Sequence, residues 1–461
     1  MSIQKPKIGL LPLYLKLYDD ILPEVRSEFS PFLDLIISEF RNKNVEVVTS
    51  DICTVAKEFE NAVHLFEKIE VACIVTVHLA YSPSLESINA LSKTKLPLLV
   101  LDSTPDACFD TMSKLMRNHG IHGVQDMCNM LKRHGKAFFI EAGHIETSDV
   151  IDHMVCHING AQIAKKMKQT RVGRIGEAFS GMGDFMVEVS IAEQKIGIKT
   201  LSFQPEQIVD YLPCDNDNEV IAEMQNDTSK FDISRVDPIA HLLSVRTGIA
   251  IRRWIEKENL SAFSVNFQYI TKAEKLPVMP FLEISKAMSR GIGYAGEGDV
   301  LTASLVGSLA SVLGNVSFTE MFCPDWKNNV IFLSHMGEIN LDLTEDRPVL
   351  IEKEWDFTDA QAPVYPSACF KKGEAVFVNL APGANDTFTL IISPVKMVKE
   401  PNPKNMGDGI RGWMKPKMAI REFLKAYSEA GGTHHGAIVY GQVIDELKSF
   451  GEIMEWKVFE L

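Results

Sequence analysis

From Lys7 to about Lys165 short, continuous apolar runs (IGLLPLYL, VEVVTSD, ACIVTVHLA, PLLVLD and AFFIEAG) alternate with helical stretches such as 31–42, 56–70 and 84–91. A strand that is apolar throughout is buried on both faces, and a helix between each pair of strands supplies the cover. The pattern therefore predicts a parallel sheet in an open α/β domain. Any binding crevice of such a sheet belongs at the C-terminal ends of its strands. A second α/β unit begins at Arg171 with RVGRIGEA, passes through FSGMGDFM into a helix, and continues with the strand IGIKTLSF. The polar, acidic segment Leu212–Arg235 is expected to be a loop excursion, Pro238–Lys257 a helix and Ala262–Ile270 a strand. Past about Trp326 the alternation stops. The runs VIFLSHMGEINLDL, PVLIEKEW, AVFVNLAP and FTLIISPVKMV follow one another with few helices between them, which predicts an antiparallel sheet or small barrel. A last helix, about Pro416–Glu429, opens on a proline and stops at Gly431-Gly432. The expected architecture is two doubly wound α/β domains, 1–168 and 169–325, followed by an antiparallel β-rich, barrel-like domain, 326–461.

Charge narrows the partners. A formal net charge of −14 argues against nucleic acid, whose phosphates demand basic patches. No apolar run reaches the ~18 residues that a membrane span needs. The N-terminal apolar run is broken by a lysine and aspartates and no small-residue cleavage site follows, so it predicts a first strand and not a signal peptide. Eight cysteines are scattered without any CxxC, which fits reduced thiols in a cytoplasm.

The chemistry concentrates in Gly291–Asn340, GIGYAGEGDVLTASLVGSLASVLGNVSFTEMFCPDWKNNVIFLSHMGEIN. It presents Glu297 and Asp299 in a glycine-rich turn, then an apolar helix, then Glu320, then His335 and Glu338. Charged groups within apolar surroundings are costly unless paired or metal-bound. Mixed carboxylate and imidazole donors suit Mn²⁺, Fe²⁺, Co²⁺ or Zn²⁺ better than an all-oxygen ion. A further ligand is best supplied by Thr433-His434-His435, just past the glycine stop. The letters GIGYAG match a dinucleotide fingerprint, which keeps an NAD-dependent oxidoreductase as a rival reading. A helix is expected before them, and the carboxylates that follow would repel a pyrophosphate. His153 and His157 lie one helical turn apart, but no third ligand accompanies them.

Six blocks in order, AFSVNF, GYAGEGD, SFTE, SHMGE, WMKP and AGGTHH, resemble the L-arabinose isomerase and L-fucose isomerase superfamily. NHGIHG (Asn118–Gly123) and GDFM (Gly183–Met186) extend the likeness into the first half. The resemblance implies a metal-dependent aldose–ketose isomerase that acts on a free sugar through an enediol(ate), with Mn²⁺ as the first candidate ion. It implies Glu297, Glu320, His335 and His435 as metal ligands. Asp299, Glu338 and His434 would orient them, and Phe318 would pack against them. Glu297 and Glu320 would share the proton transfers, with the assignment between them open. Met186, Phe267 and Met336 match positions that line the sugar pocket, with His119 beside them. His122 matches a histidine lent by a neighbouring subunit, so the resemblance implies a homo-oligomer, trimer or hexamer, with its active site at a subunit interface.

Two substrate-side positions depart from the arabinose enzymes. Their Gly-Ser-Gln-His-Leu-Tyr-Gly turn after the first strand is replaced by Leu11-Pro12-Leu13-Tyr14-Leu15-Lys16, and His119 stands where they have a glutamine. L-arabinose is therefore expected to be a poor substrate; a different pentose or hexose, or a deoxy sugar with an apolar end facing Leu13 or Leu15, is expected instead. A non-catalytic sugar-binding or regulatory relative is the alternative within the same fold.

Overall fold

The computed structural model describes residues 5–272, 276–354, 356–401 and 406–461. The chain forms two compact units, Gln4–Lys165 with Asp445–Ile453, and Lys166–Ile444 with Met454–Leu461. Trp355, the last letter of the expected PVLIEKEW run, lies outside the described residues. Among the described residues no helix is long and apolar enough to cross a membrane.

The first unit is a parallel sheet of β1 (Lys7–Leu13), β2 (Glu46–Thr49), β3 (Cys73–His78), β4 (Leu98–Asp102) and β5 (Phe139–Ala142), in the order β2-β1-β3-β4-β5. β1 and β3 are buried almost throughout because helices cover both faces. Ile36, Phe40, Val75 and Ile158 pack on one side, and Leu11, Phe59, Ile74 and Leu131 on the other. Leu13 lies in that second core, and Leu11, Leu13 and Tyr14 are all fully buried. This corrects one expectation: Leu13 packs inside the unit and cannot face a sugar.

In the second unit β6 (Arg171–Ile175) and β7 (Lys199–Phe203) lie in one small parallel sheet. β8 (Asp232–Arg235) leaves it, while β9 (Ala262–Val265) and β10 (Gly293–Gly296) complete the order β10-β9-β6-β7. The predicted helix Pro238–Lys257 is present, and Asp237 caps it by accepting the amides of Ile239 and Ala240. Leu212–Arg235 is not a loop. It contains the helix Asn218–Lys230 and β8; Val220 and Met224 pack that helix against Val245 and Ile249, and charge ties it down further. Lys286 reaches Glu223 at 2.6 Å and Asp227 at 2.5 Å, and Arg252 bridges Glu223 and Glu283.

The remaining strands are β11 (Val316–Asp325), β12 (Val330–Ser334), β13 (Val349–Glu352), β14 (Val364–Cys369), β15 (Gly373–Pro382), β16 (Phe388–Met397), β17 (Ile410–Pro416), β18 (His435–Tyr440) and β19 (Lys457–Glu460). They run β19-β16-β15-β18-β11-β12-β17-β14-β13-β8, and β16 also pairs with β17. That extra pairing closes β16-β15-β18-β11-β12-β17 into an antiparallel barrel, which leaves no open edge within the ring. Its core is Ile331, Leu333, Phe377, Ile391, Met414 and Ile438. The helix expected from Pro416 starts at Ile420, because Pro416 is still in β17. It is also not the last, since Ile444–Ile453 forms another.

Candidate metal centre

The barrel's register brings the candidate residues together. Glu320 on β11 lies opposite His435, the first residue of β18, on one side. On its other side it lies opposite Ser334, the last residue of β12, and His335 follows immediately. Glu297 arrives from the parallel sheet, in the turn between β10 and the helix Val300–Leu313. Its φ of 62° is in the left-handed region, a strained conformation for a residue with a side chain. Two backbone bonds hold it there: Glu297 N–H donates to Val265 O and Phe179 N–H to Glu297 O, both at 2.9 Å. Gly296 must be glycine, because a Cβ there would lie 2.5 Å from His335 Cε1.

Each imidazole has one nitrogen tied to a carboxylate. His335 Nδ1 is 2.7 Å from Glu338 Oε1, and His435 Nδ1 is 2.9 Å from Asp299 Oδ2. Glu338 Oε2 also accepts the Gly337 amide at 2.6 Å. Phe318 sits edge-on between the two rings, 4.9 Å from His335 and 5.0 Å from His435 by ring centroids. Phe185 stacks on His435 at 4.8 Å. The outward-facing atoms are left over. Glu297 Oε2, His335 Nε2 and His435 Nε2 are buried with no hydrogen-bond partner. Buried polar atoms are nearly always satisfied, so three unpartnered polar atoms of carboxylate and imidazole groups in one place fit the donor set of a cation site.

His434, expected behind the ligands, presents its own Nε2 to the cluster. Donor atoms of Glu297, His434 and His435 all lie within 4.8 Å of one another, and His434 Nε2 is 3.5 Å from Glu320 Oε1. Its other side is held by Asp184, whose Oδ2 accepts both the His434 amide at 3.0 Å and Nδ1 at 2.6 Å. Asp184 was not singled out from sequence, although GDFM contains it one residue from Phe185 and two from Met186.

Electrostatics follow from this crowding. Burial pushes the His335 imidazolium down, but Glu338, Glu320 and Glu297 outweigh it and raise the group to about 9. His434 is likewise pushed down by burial and raised, to about 9, by Glu297, Asp184 and Glu320. Burial raises Glu297, and the three histidines together bring it below the usual carboxylate range.

Family profiles match the two segments that build this centre. The L-arabinose isomerase central domain matches residues 179–315, and the L-arabinose isomerase C-terminal domain matches 315–457. The chain belongs to the L-arabinose isomerase-like family. L-arabinose isomerase of Shouchella clausii (strain KSM-K16) is 24% identical over 395 residues, covering 83% of this chain and 80% of that protein. That of Anoxybacillus flavithermus (strain DSM 21510 / WK1) is 24% identical over 446 residues, covering 91% and 87%. That of Oceanobacillus iheyensis is 24% identical over 452 residues, covering 95% and 94%.

Within this family member the expected sugar-pocket residues of the second unit differ in setting. Phe267 is buried between Phe179 and Phe357, with centroids 5.6 and 5.7 Å away. Met336 is half-buried, and Met186 is exposed. His119 and His122 belong to the first unit, at the start of the helix Gly120–Arg133, where His119 Nε2 is 2.8 Å from His122 Nδ1. His153 and His157 do not converge. His153 pairs with Asp149, and His157 lies between Ser449 and Glu141.

Proposed function

We propose that this protein is a metal-dependent aldose–ketose isomerase of a free sugar, holding a divalent cation, Mn²⁺ first among the candidates, with Glu297, Glu320, His335 and His435. The observation that carries the reading is the set of buried, unpartnered atoms on Glu297, His335 and His435 beside Glu320. Membership of a family whose named relatives are L-arabinose isomerases supports the same reading. When bound, the cation supplies Lewis-acid polarisation of neighbouring sugar oxygens.

The chain's own residues do the rest. One carboxylate, Glu297 or Glu320, takes a proton from one sugar carbon and returns it to the next, through an enediol(ate). The other handles the hydroxyl proton, a division that two acids in different surroundings can sustain. Glu297 is buried and Glu320 half-buried, so their surroundings do differ. Asp299 and Glu338 fix the faces that His435 and His335 turn to the cation. Met186, Phe267 and Met336 flank the sugar. The protein works as a homo-oligomer in which His122 serves a neighbouring copy, and its substrate is a sugar other than L-arabinose.

The test is ketose formation from a panel of aldoses with Mn²⁺ saturating, after chelation, and after Mn²⁺ is restored. Turnover lost on chelation and regained with Mn²⁺ supports the reading. Calorimetry that finds no Mn²⁺ or Co²⁺ binding in the chelated protein removes it.

A further inference from the structure

His434 and His435 lie where β18 has lost its pairing with β15 and keeps only that with β11. Pairing of β15 with β18 runs from Ala375↔Tyr440 to Val378↔Ala437 and ends there. One residue on, the Asn379 side chain takes over from the backbone. Its Nδ2 donates to the His435 carbonyl at 2.7 Å and to Thr433 Oγ1 at 2.6 Å, and its Oδ1 accepts the Thr433 amide at 3.3 Å. Thr433 Oγ1 donates in turn to the His435 carbonyl at 3.1 Å, and Tyr427 Oη donates to the Thr433 carbonyl at 2.6 Å.

Packing alone does not ask for an asparagine here. Asn379 is fully buried in a strand whose neighbours are Val376, Phe377, Val378, Leu380 and Ala381, so an apolar residue would fill the wall at lower desolvation cost. Only a carboxamide offers two donors and an acceptor at one point; a carboxylate offers acceptors alone and would face the His435 carbonyl. Gly436 lets the strands approach at this level, since a Cβ there would lie 2.4 Å from Phe377 Cζ.

We propose that Asn379 is a positioning residue for the metal centre: its carboxamide sets where His434 and His435 present their nitrogens, although it touches neither cation nor sugar. This rests on the metal reading above. Removing the clamp should leave the barrel folded and loosen the histidine end of the site.

The full-length protein, freed of metal, is titrated with Co²⁺ by calorimetry, and the visible absorption of bound Co²⁺ reports ligand geometry. Asn379→Leu and Thr433→Val are expected to weaken Co²⁺ binding by ~10–100-fold, the scale for residues that orient ligands, and to shift the absorption bands. Thr433→Ser restores the hydroxyl and should return most of the affinity and the original bands. Ser393→Ala is the control for disturbance of the barrel. Ser393 lies opposite Phe377 on β16, is fully buried and has an unpartnered hydroxyl, so its loss should change neither affinity nor spectrum. If Asn379→Leu does not fold, the Thr433→Val and Thr433→Ser pair decides. Wild-type affinity and bands in both Asn379→Leu and Thr433→Val overturn the role of Asn379 while leaving the metal reading intact. A wild-type protein that takes up no Co²⁺ overturns both.

Discussion

Asp299 uses one carboxylate oxygen on a helix and the other on a histidine. Its Oδ1 accepts the Thr302 amide at 2.9 Å and so caps the helix Val300–Leu313, while Oδ2 lies 2.9 Å from His435 Nδ1. The helix is almost wholly buried, so its cap is a fixed point, and His435 takes its orientation from it. Because an ionised carboxylate can only accept, Nδ1 is the nitrogen that donates to Asp299, and Nε2 is the one turned to the cluster.

That double use separates two substitutions. Asp299→Asn can still cap the helix through its oxygen, but its NH₂ then faces His435 Nδ1 and forces the proton onto Nε2, where a ligand cannot have one. Metal affinity should fall ~10–100-fold with little change in the melting temperature of the metal-free protein. Asp299→Ala loses the cap as well, about 1 kcal/mol. Calorimetry with Mn²⁺ and thermal melts of the metal-free variants read the two effects separately. Unchanged Mn²⁺ affinity in Asp299→Asn would mean that Asp299 acts on the helix alone.

Glu320 and His122 allow a test of shared sites. Glu320→Gln keeps the pocket's shape and removes a proton acceptor, and kcat should fall by at least ~100-fold. His122→Asn should also be impaired if His122 serves a neighbouring copy. Subunits of the two variants, dissociated and reassembled together, would then rebuild some sites with both residues intact. The mixture should exceed the summed activities of its parts. A fully active monomer in sedimentation, or a mixture no better than its components, sinks the shared-site reading.

The barrel and the site were legible in the sequence to different depths. Glu297, Glu320 and His335 stood out because each is a charged or titratable residue beside an apolar run; the register of β11 with β12 and β18 sets Glu320 beside His335 and His435, and Glu297 comes from the turn after β10. Ring closure was not legible, because it depends on the non-local pairing of β16 with β17. The helix Asn218–Lys230 was missed since its partners, Arg252 and Lys286, lie far along the chain. His434 sits just outside β18, so strand alternation does not turn it away from His435. Asn379 gave no signal, because a single asparagine in an apolar run reads the same whether it clamps a loop or not.

Buried His78 predicts a pH dependence of stability. It is the last residue of β3, and a Cβ on Gly123 would strike its ring. Neither ring nitrogen has a hydrogen-bond partner, and burial lowers its pKa from 6.5 to about 3 against a small opposing effect of Asp126. The unfolded chain then binds a proton between those values that the folded chain does not. Its stabilising contribution is complete above pH 6.5 and is lost as pH falls toward 3, at up to ~1.4 kcal/mol per pH unit. His78→Asn should therefore lose less stability than the wild type between pH 6.5 and 5, where most carboxylates stay ionised. Parallel melting curves across that interval would contradict the assignment.

By resemblance, arabinose enzymes contact their sugar with a glutamine after the first strand. Here Leu11, Leu13 and Tyr14 are fully buried, so that segment offers a ligand only Leu15 and Lys16. An apolar sugar terminus cannot rest on Leu13. Within the unit that carries the metal centre, an apolar surface open to it is the Phe179–Phe267–Phe357 row, which begins at the residue whose amide bonds Glu297 O. Each hydrogen bond that L-arabinose loses should cost ~0.5–1.5 kcal/mol, and more where a buried partner is left unsatisfied. With ~1.4 kcal/mol per tenfold, one or two lost bonds put kcat/KM for L-arabinose about two- to a hundredfold below that of the true substrate. A 6-deoxyhexose or another aldose with an apolar end should do better, and Phe357→Ala should narrow its lead by raising KM more than it lowers kcat. The measurement is kcat/KM over aldopentoses, aldohexoses and 6-deoxyhexoses with Mn²⁺ saturating. L-arabinose at the head of that series would show that the missing glutamine has no bearing on specificity.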